Sequence, residues 1–163
     1  AQAYDEIDKE MLEFVSDQIG MAIHRKNVEE RVKKSEQRFE LAMKASMDGL
    51  YDYNLITNKL YYSPRWKSIL GYRDDELLNS LETWNALTNK EVQEATERKL
   101  KESIEKKLDY YNVKFKMRHK DGHWVHILSR AHIIYNKQGK AIRTVGTHFD
   151  LTEQIKAQEK IKS

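Results

Sequence analysis

The apolar positions of the first 46 residues recur at alternating spacings of three and four. The series runs Tyr4, Ile7, Met11, Phe14, Gln18, Met21, Arg25, Val28, Val32, Ser35, Phe39, Ala42, and nine of its twelve positions are apolar. This is a heptad seam, and it predicts one continuous helix over Asp5–Ala45. The stretch contains no proline and a single glycine, Gly20. At about 1.5 Å per residue such a helix is roughly 60 Å long. A small globule cannot cover a rod of that length, so a partner helix is expected. Ile7, Met11, Phe14, Met21, Val28, Val32 and Phe39 are the residues predicted to meet their counterparts in a parallel homodimer. A second stripe, Leu12, Val15, Ile19, Ala22 and Ile23, widens the apolar face in the first half only. The polar seam positions Gln18, Arg25 and Ser35 weaken the coil but can fix its register.

The pattern changes at Ser46-Met47-Asp48-Gly49. Leu50–Leu55 reads as a strand, Thr57-Asn58-Lys59 as a turn and Leu60–Tyr62 as a second strand. Ser63-Pro64 opens a short helix, because serine caps well and proline at the first helical position loses no needed N–H. That helix carries Trp66, Ile69 and Leu70 and stops at Gly71. Short helical pieces are predicted at Asp75–Leu78 and Leu81–Leu87. Thr88 and Glu91, at capping-box spacing, are predicted to start a charged helix reaching Lys107. The last third is β. Strands are predicted at Tyr110–His119, Trp124–Tyr135 and Ile142–Phe149, with a type I′ turn at Asp121-Gly122. After Asp150 the chain returns to helix.

Composition narrows the function classes. The 163 residues suit one domain plus an appendage; 39% are hydrophobic and 34% charged, with a net charge of +3. Lysines and arginines are interleaved with acidic and apolar residues, so no nucleic-acid face is expected. No run approaches the roughly 20 apolar residues of a membrane span, and the acidic start carries no signal-peptide pattern. Cysteine is absent. That removes disulfides, thiol catalysis and Cys-based metal sites, and it fits a cytoplasmic location. No phosphate-binding glycine loop and no nucleophile motif occurs, and no pair of carboxylates is singled out for acid–base work. The expectation is a chain that is not itself an enzyme, with no metal site.

Four segments, in order and at consistent spacing, resemble a PAS domain of the variety with a tryptophan-rich C-terminal sheet: DGLYDYNL (Asp48–Leu55), YYSPRWKSILGYRDDEL (Tyr61–Leu77), FKMRHKDGHWVHILSRA (Phe115–Ala131) and VGTHFDLTE (Val145–Glu153). The resemblance implies an α+β PAS fold, with a five-stranded antiparallel sheet and helices on one face. The N-terminal stretch LEFVSDQIGMAIHRKNVEERVKKSEQRFE is similar to the last helix of a GAF domain, and the chain is expected to start inside that helix. The expected organisation is a linker helix over 1–46, a PAS domain over 47–153 and the start of an output helix over 154–163. The implied function is sensing or relay in a bacterial signalling protein. Its output would be a histidine kinase or diguanylate cyclase, with a GAF-like module upstream. The alternatives are a ligand-free dimerising linker and a haem or flavin redox sensor.

The resemblance also directs attention to particular residues. PAS domains hold flavin, haem or small metabolites between sheet and helices. The cysteine that flavin photochemistry uses is missing, and Lys90–Lys107, where family haem ligands commonly sit, has no histidine. No cofactor is therefore predicted, while a small-molecule ligand stays open. Trp66, Trp84, Val113, Phe115, Met117 and Leu128 are the candidate pocket residues, with plain core packing as the alternative for each. His126 and His132 share a strand face with Trp124 and Leu128, and His119 and His123 flank the Asp121-Gly122 turn, where solvent exposure is expected. His24 lacks the acidic surround of a phosphorylated kinase histidine. Asp150 and Thr152 match the Asp-x-Thr motif that joins the last PAS strand to the output helix. Both are short acceptors suited to capping that helix.

Overall fold

The computed structural model describes all 163 residues, which form two compact units, 1–45 and 46–163. The first is a single helix, α1 (Gln2–Ser46), unbroken as the heptad pattern requires. None of its residues is buried. The seam residues Ile7, Met11, Phe14, Met21, Val28, Val32 and Phe39 are all exposed.

The second unit contains β1 (Gly49–Asn54), β2 (Leu60–Tyr62), α2 (Pro64–Ile69), a 3-10 turn (Asp74–Glu76), α3 (Leu81–Leu87), α4 (Lys90–Glu105), β3 (Tyr110–Arg118), β4 (Trp124–Tyr135), β5 (Ala141–Asp150) and α5 (Thr152–Lys162). The strands form one sheet in the order β2-β1-β5-β4-β3, and every neighbouring pair is antiparallel. The chain thus brings β5 back beside β1, at the centre of the sheet.

Local chemistry explains the element borders. The Ser63 hydroxyl accepts the Trp66 N–H at 3.2 Å and the Leu50 N–H at 2.9 Å, so one side chain caps α2 and ties it to β1. Gly71 follows α2 at φ +82°, the left-handed conformation that ends helices. The buried Lys67 ammonium donates to the Asp74 carboxylate at 2.8 Å and to the Asp74 carbonyl at 3.0 Å, fixing the 3-10 turn against α2. The Asn54 side chain accepts the N–H groups of Ile56 and Thr57, and Asn58 turns the chain at φ +58°.

Most borders shift by one or two residues, and a cap and a turn differ in kind. The cap of α4 is Asn89, which accepts the Val92 N–H at 2.9 Å, and not Thr88. The Thr88 hydroxyl donates backwards to the Trp84 carbonyl at 2.7 Å and closes α3 instead. The β3–β4 connection is not a type I′ turn. Of Asp121 and Gly122, only Gly122 has positive φ, +104°. The His119 N–H donates to the His123 carbonyl at 2.9 Å and the Gly122 N–H to the His119 carbonyl at 3.0 Å. These bonds enclose a three-residue loop with glycine at the left-handed position, the next most common hairpin solution.

The register Met117↔Val125, Phe115↔Ile127 and Val113↔Ser129 places alternate residues of β3 and β4 on the helix-covered face. There they join Tyr62, Trp66, Ile69, Leu70 and Leu87 in the core. Burying each large apolar side chain contributes about 1.5 to 3 kcal/mol. Trp66 is the centrepiece, 1% exposed and stacked on Tyr62 at a ring distance of 3.9 Å. Gly49 makes this possible, because a Cβ there would run into the Trp66 backbone.

Candidate sensory cavity

Beside this core the sheet and the helices do not close completely. A cavity of about 460 Å³ lies between β1, β3, β4 and β5 on one side and α3 and α4 on the other. Strand alternation supplies its floor: Tyr51 and Tyr53 from β1, Tyr111, Val113 and Phe115 from β3, Ser129 from β4, and Thr144 and His148 from β5. The helices supply Leu81, Trp84 and Asn85 from α3, and Gln93, Thr96, Glu97 and Leu100 from α4. Trp84 meets Phe115 edge-on at 5.2 Å, a favoured aromatic arrangement. Phe115 in turn meets His148 edge-on at 5.4 Å.

The lining is aromatic with a small polar group at one end. The Tyr51 and Ser129 hydroxyl oxygens are 3.4 Å apart, and Tyr111 lines the same part of the cavity. Burial, the dominant influence, pushes both tyrosine hydroxyls above their ordinary range, so they are neutral donors and acceptors. His148 is 5% exposed and surrounded by the rings of Tyr51, Trp66, Trp84 and Phe115. Burial drives its pKa down to about 3, which makes it a neutral imidazole at any physiological pH. Its Nδ1 has no hydrogen-bond partner in the protein. No lysine or arginine lines the cavity, and Glu97 is its one carboxylate.

Of the six pocket residues expected from sequence, Trp84, Val113 and Phe115 line the cavity. Trp66 and Met117 are buried in the adjoining core and do not reach it. Leu128 is a correction. The burial alternation of β4 puts Val125, Ile127 and Ser129 on the helix-covered face, and Leu128 therefore lies on the opposite face with His126 and His132. His148, Tyr51, Tyr111, Ser129 and Thr144 were not singled out from the sequence. A period of two through Thr144, Gly146 and His148 would have placed the histidine on the inner face.

The exit motif also differs in detail. The Asp150 carboxylate accepts the Thr152 N–H at 2.8 Å, as a turn-forming aspartate does. The Thr152 hydroxyl does not cap α5, because it accepts the His126 N–H of β4 at 3.1 Å. The His126 carbonyl accepts the Leu151 N–H at 2.7 Å. Both polar backbone groups of His126 thus hold the start of α5. Leu151 and Ile155 are half-buried, while the α5 residues beyond Ile155 are exposed.

Away from the cavity, the β3–β4 loop brings His119, Asp121 and His123 together. His119 is half-buried rather than exposed, because its ring packs on Gly71.

Comparison with known proteins agrees with this geometry. Residues 59–148 match the family described as the PAS fold. A sensory box histidine kinase/response regulator from Burkholderia thailandensis is 30% identical, with 77% of this chain and 92% of that one aligned at a TM-score of 0.64. The N-terminal domain of a diguanylate cyclase with PAS/PAC sensor from Marinobacter aquaeolei is 22% identical, with 66% and 97% aligned at a TM-score of 0.56. A PAS domain from Colwellia psychrerythraea is 20% identical, with 72% and 97% aligned at 0.57, and like the Marinobacter domain it bears on the fold alone. No curated protein sequence matches the chain. No helix is long and apolar enough to cross a membrane. With its family match, its sheet order and its half-open cavity between sheet and helices, the chain belongs to the PAS family of sensory domains.

Proposed function

We propose that this chain is the sensing and relay module of a bacterial histidine kinase or diguanylate cyclase, acting in the cytoplasm as a parallel homodimer. A small molecule enters the cavity, and the change passes through the flanking helices to an output domain. The observation that carries this reading is the cavity itself, with the unpartnered Nδ1 of His148 among its lining residues. A buried polar atom without a partner costs about 1 to 3 kcal/mol. A ligand that forms a hydrogen bond with it recovers that cost. The aromatic walls and the lack of a lining cation favour an uncharged, ring-containing ligand over an anion.

The exposed seam of α1 supports dimerisation, since seven large apolar side chains in heptad register need a partner helix. The kinase assignment rests on the 30% identical Burkholderia relative, the cyclase alternative on the resemblance of the sequence to PAS signalling proteins, and the upstream GAF-like module on the sequence of α1. A metabolite screen by thermal shift tests the sensing role. Ligands that raise the melting temperature of the wild type and leave a Val113→Trp variant unmoved support it. A cavity that no small uncharged aromatic compound stabilises points to a ligand-free dimerising linker instead.

A further inference from the structure

We propose that His119, Asp121 and His123 form a binding site for a divalent transition-metal ion of the zinc class on the β3–β4 hairpin. The three side chains offer ligand atoms that all lie within 4.8 Å of one another. The Asp121 Oδ1 sits between two imidazoles, 2.7 Å from Nδ1 of His119 and 2.5 Å from Nδ1 of His123. The two rings are stacked at 4.2 Å, so both nitrogens face the same oxygen from one side of the loop.

The hydrogen bonding of this cluster is over-subscribed. The Asp121 N–H also donates to His119 Nδ1, at 3.2 Å. An imidazole nitrogen carries either one proton or one lone pair. Protonated, it can donate to the carboxylate but cannot accept from the backbone; unprotonated, it can accept but then faces the carboxylate lone pair to lone pair. A cation placed among the three ligand atoms removes the repulsion between the nitrogens and the carboxylate, using the lone pairs of both nitrogens and the carboxylate oxygen, and it displaces the long Asp121 N–H contact to His119. Two imidazoles and one carboxylate suit zinc, nickel or cobalt, and not the all-oxygen preference of magnesium or calcium. The half-open surroundings leave a further position for water, since Asp121 and His123 are exposed.

The site is built into the fold rather than left to a floppy loop. The His119–His123 backbone pair and Gly122 in its left-handed conformation set the spacing of the ligands. The Lys120 N–H donates to the Leu70 carbonyl at 2.9 Å and anchors the loop to the end of α2. Gly71, next in the chain, has no Cβ and gives the His119 ring its seat. The two cations flanking the ligands have partners of their own, although the Arg118 guanidinium stays beside Gly122. The Lys120 ammonium pairs with Glu76, and the Arg118 guanidinium lies 4.9 Å above the Trp124 ring. None of the three ligands lines the cavity, so the site is separate from the one proposed to bind the small molecule.

Calorimetric titration of the untagged full chain with Zn²⁺ tests the proposal, with Mg²⁺ as the comparison ion. One zinc per chain in the micromolar range and no magnesium response are expected. His123→Ala and Asp121→Asn change exposed side chains and should each weaken zinc binding at least tenfold, whereas His132→Ala on the outer sheet face should not. Circular dichroism confirms that each variant is folded before it is titrated. Absence of zinc binding below millimolar concentration overturns the proposal. So does zinc binding of unchanged affinity in folded His123→Ala and Asp121→Asn.

Discussion

The backbone N–H of His126 donates to the hydroxyl of Thr152 at 3.1 Å, so α5 is fastened to the sheet near the start of β4 rather than merely capped. The His126 carbonyl completes the fastening through the Leu151 N–H. His126 sits on β4 next to Ile127, and the register pairs Ile127 with Asp150. A shift of β4 against β5 therefore moves the root of α5 directly. Thr152→Val keeps the shape and removes the acceptor. The expected loss is about 1 kcal/mol, a few degrees of melting temperature, while Thr152→Ser stays near wild type. In a full-length parent, Thr152→Val and Asp150→Ala are expected to change output regulation far more than this modest loss of stability. Output assays showing normal regulation in both variants reduce the motif to a local turn.

The buried His148 gives the domain a pH-dependent stability of definite sign. Its folded pKa is about 3, against 6.5 when unfolded, so below pH 6.5 the unfolded chain binds a proton that the folded one refuses. Stability is full above pH 6.5 and falls as the pH drops towards 3. The contribution of this one group is at most about 1.4 kcal/mol per pH unit. Urea denaturation at pH 7.5 and pH 5 measures it. The wild type is expected to lose about 2 kcal/mol more than His148→Phe over that interval, and equal losses in the two proteins contradict the assignment.

How much of this was legible in the sequence depends on which physical signal carried it. The continuity of the α1 helix, the Ser63-Pro64 start of α2 and the alternation of β3 are strong periodic or capping signals, and they appear as read. The side of the sheet on which Leu128 lies was equally legible from β4, since it alternates with Ile127 and Ser129; assigning it to the pocket set hydrophobicity above register. His148 was harder to find. A histidine in a strand is ordinarily half-exposed, and its burial comes from Trp66, Trp84 and Phe115, three residues distant in sequence. Thr152 was misread because capping is a local rule, while its real partner is 26 residues away.

The cavity makes a prediction about packing. Val113→Trp fills it from the floor. We expect a folded variant of near-wild-type stability, because an indole entering an existing cavity avoids most of the usual cost of overpacking, about 1 to 3 kcal/mol. A loss above that range, measured by urea denaturation, would mean that Val113 packs against closed core.

The seam of α1 is tested by charge. Phe14→Glu with Met21→Glu places like charges at two levels of the seam, where a dimer would bring them face to face. Multi-angle light scattering at tens of micromolar should give a dimer for the wild type and a monomer for the double variant. A monomeric wild type removes the seam from the account.

Native mass spectrometry of the wild-type chain, incubated with the small-molecule fraction of a bacterial extract, tests ligand sensing by a dimer most directly. The expected spectrum is a dimer carrying a constant extra mass, one small molecule per chain, with the Val113→Trp dimer free of it. A wild-type dimer of bare protein mass under the same conditions would contradict the claim and leave a structural linker.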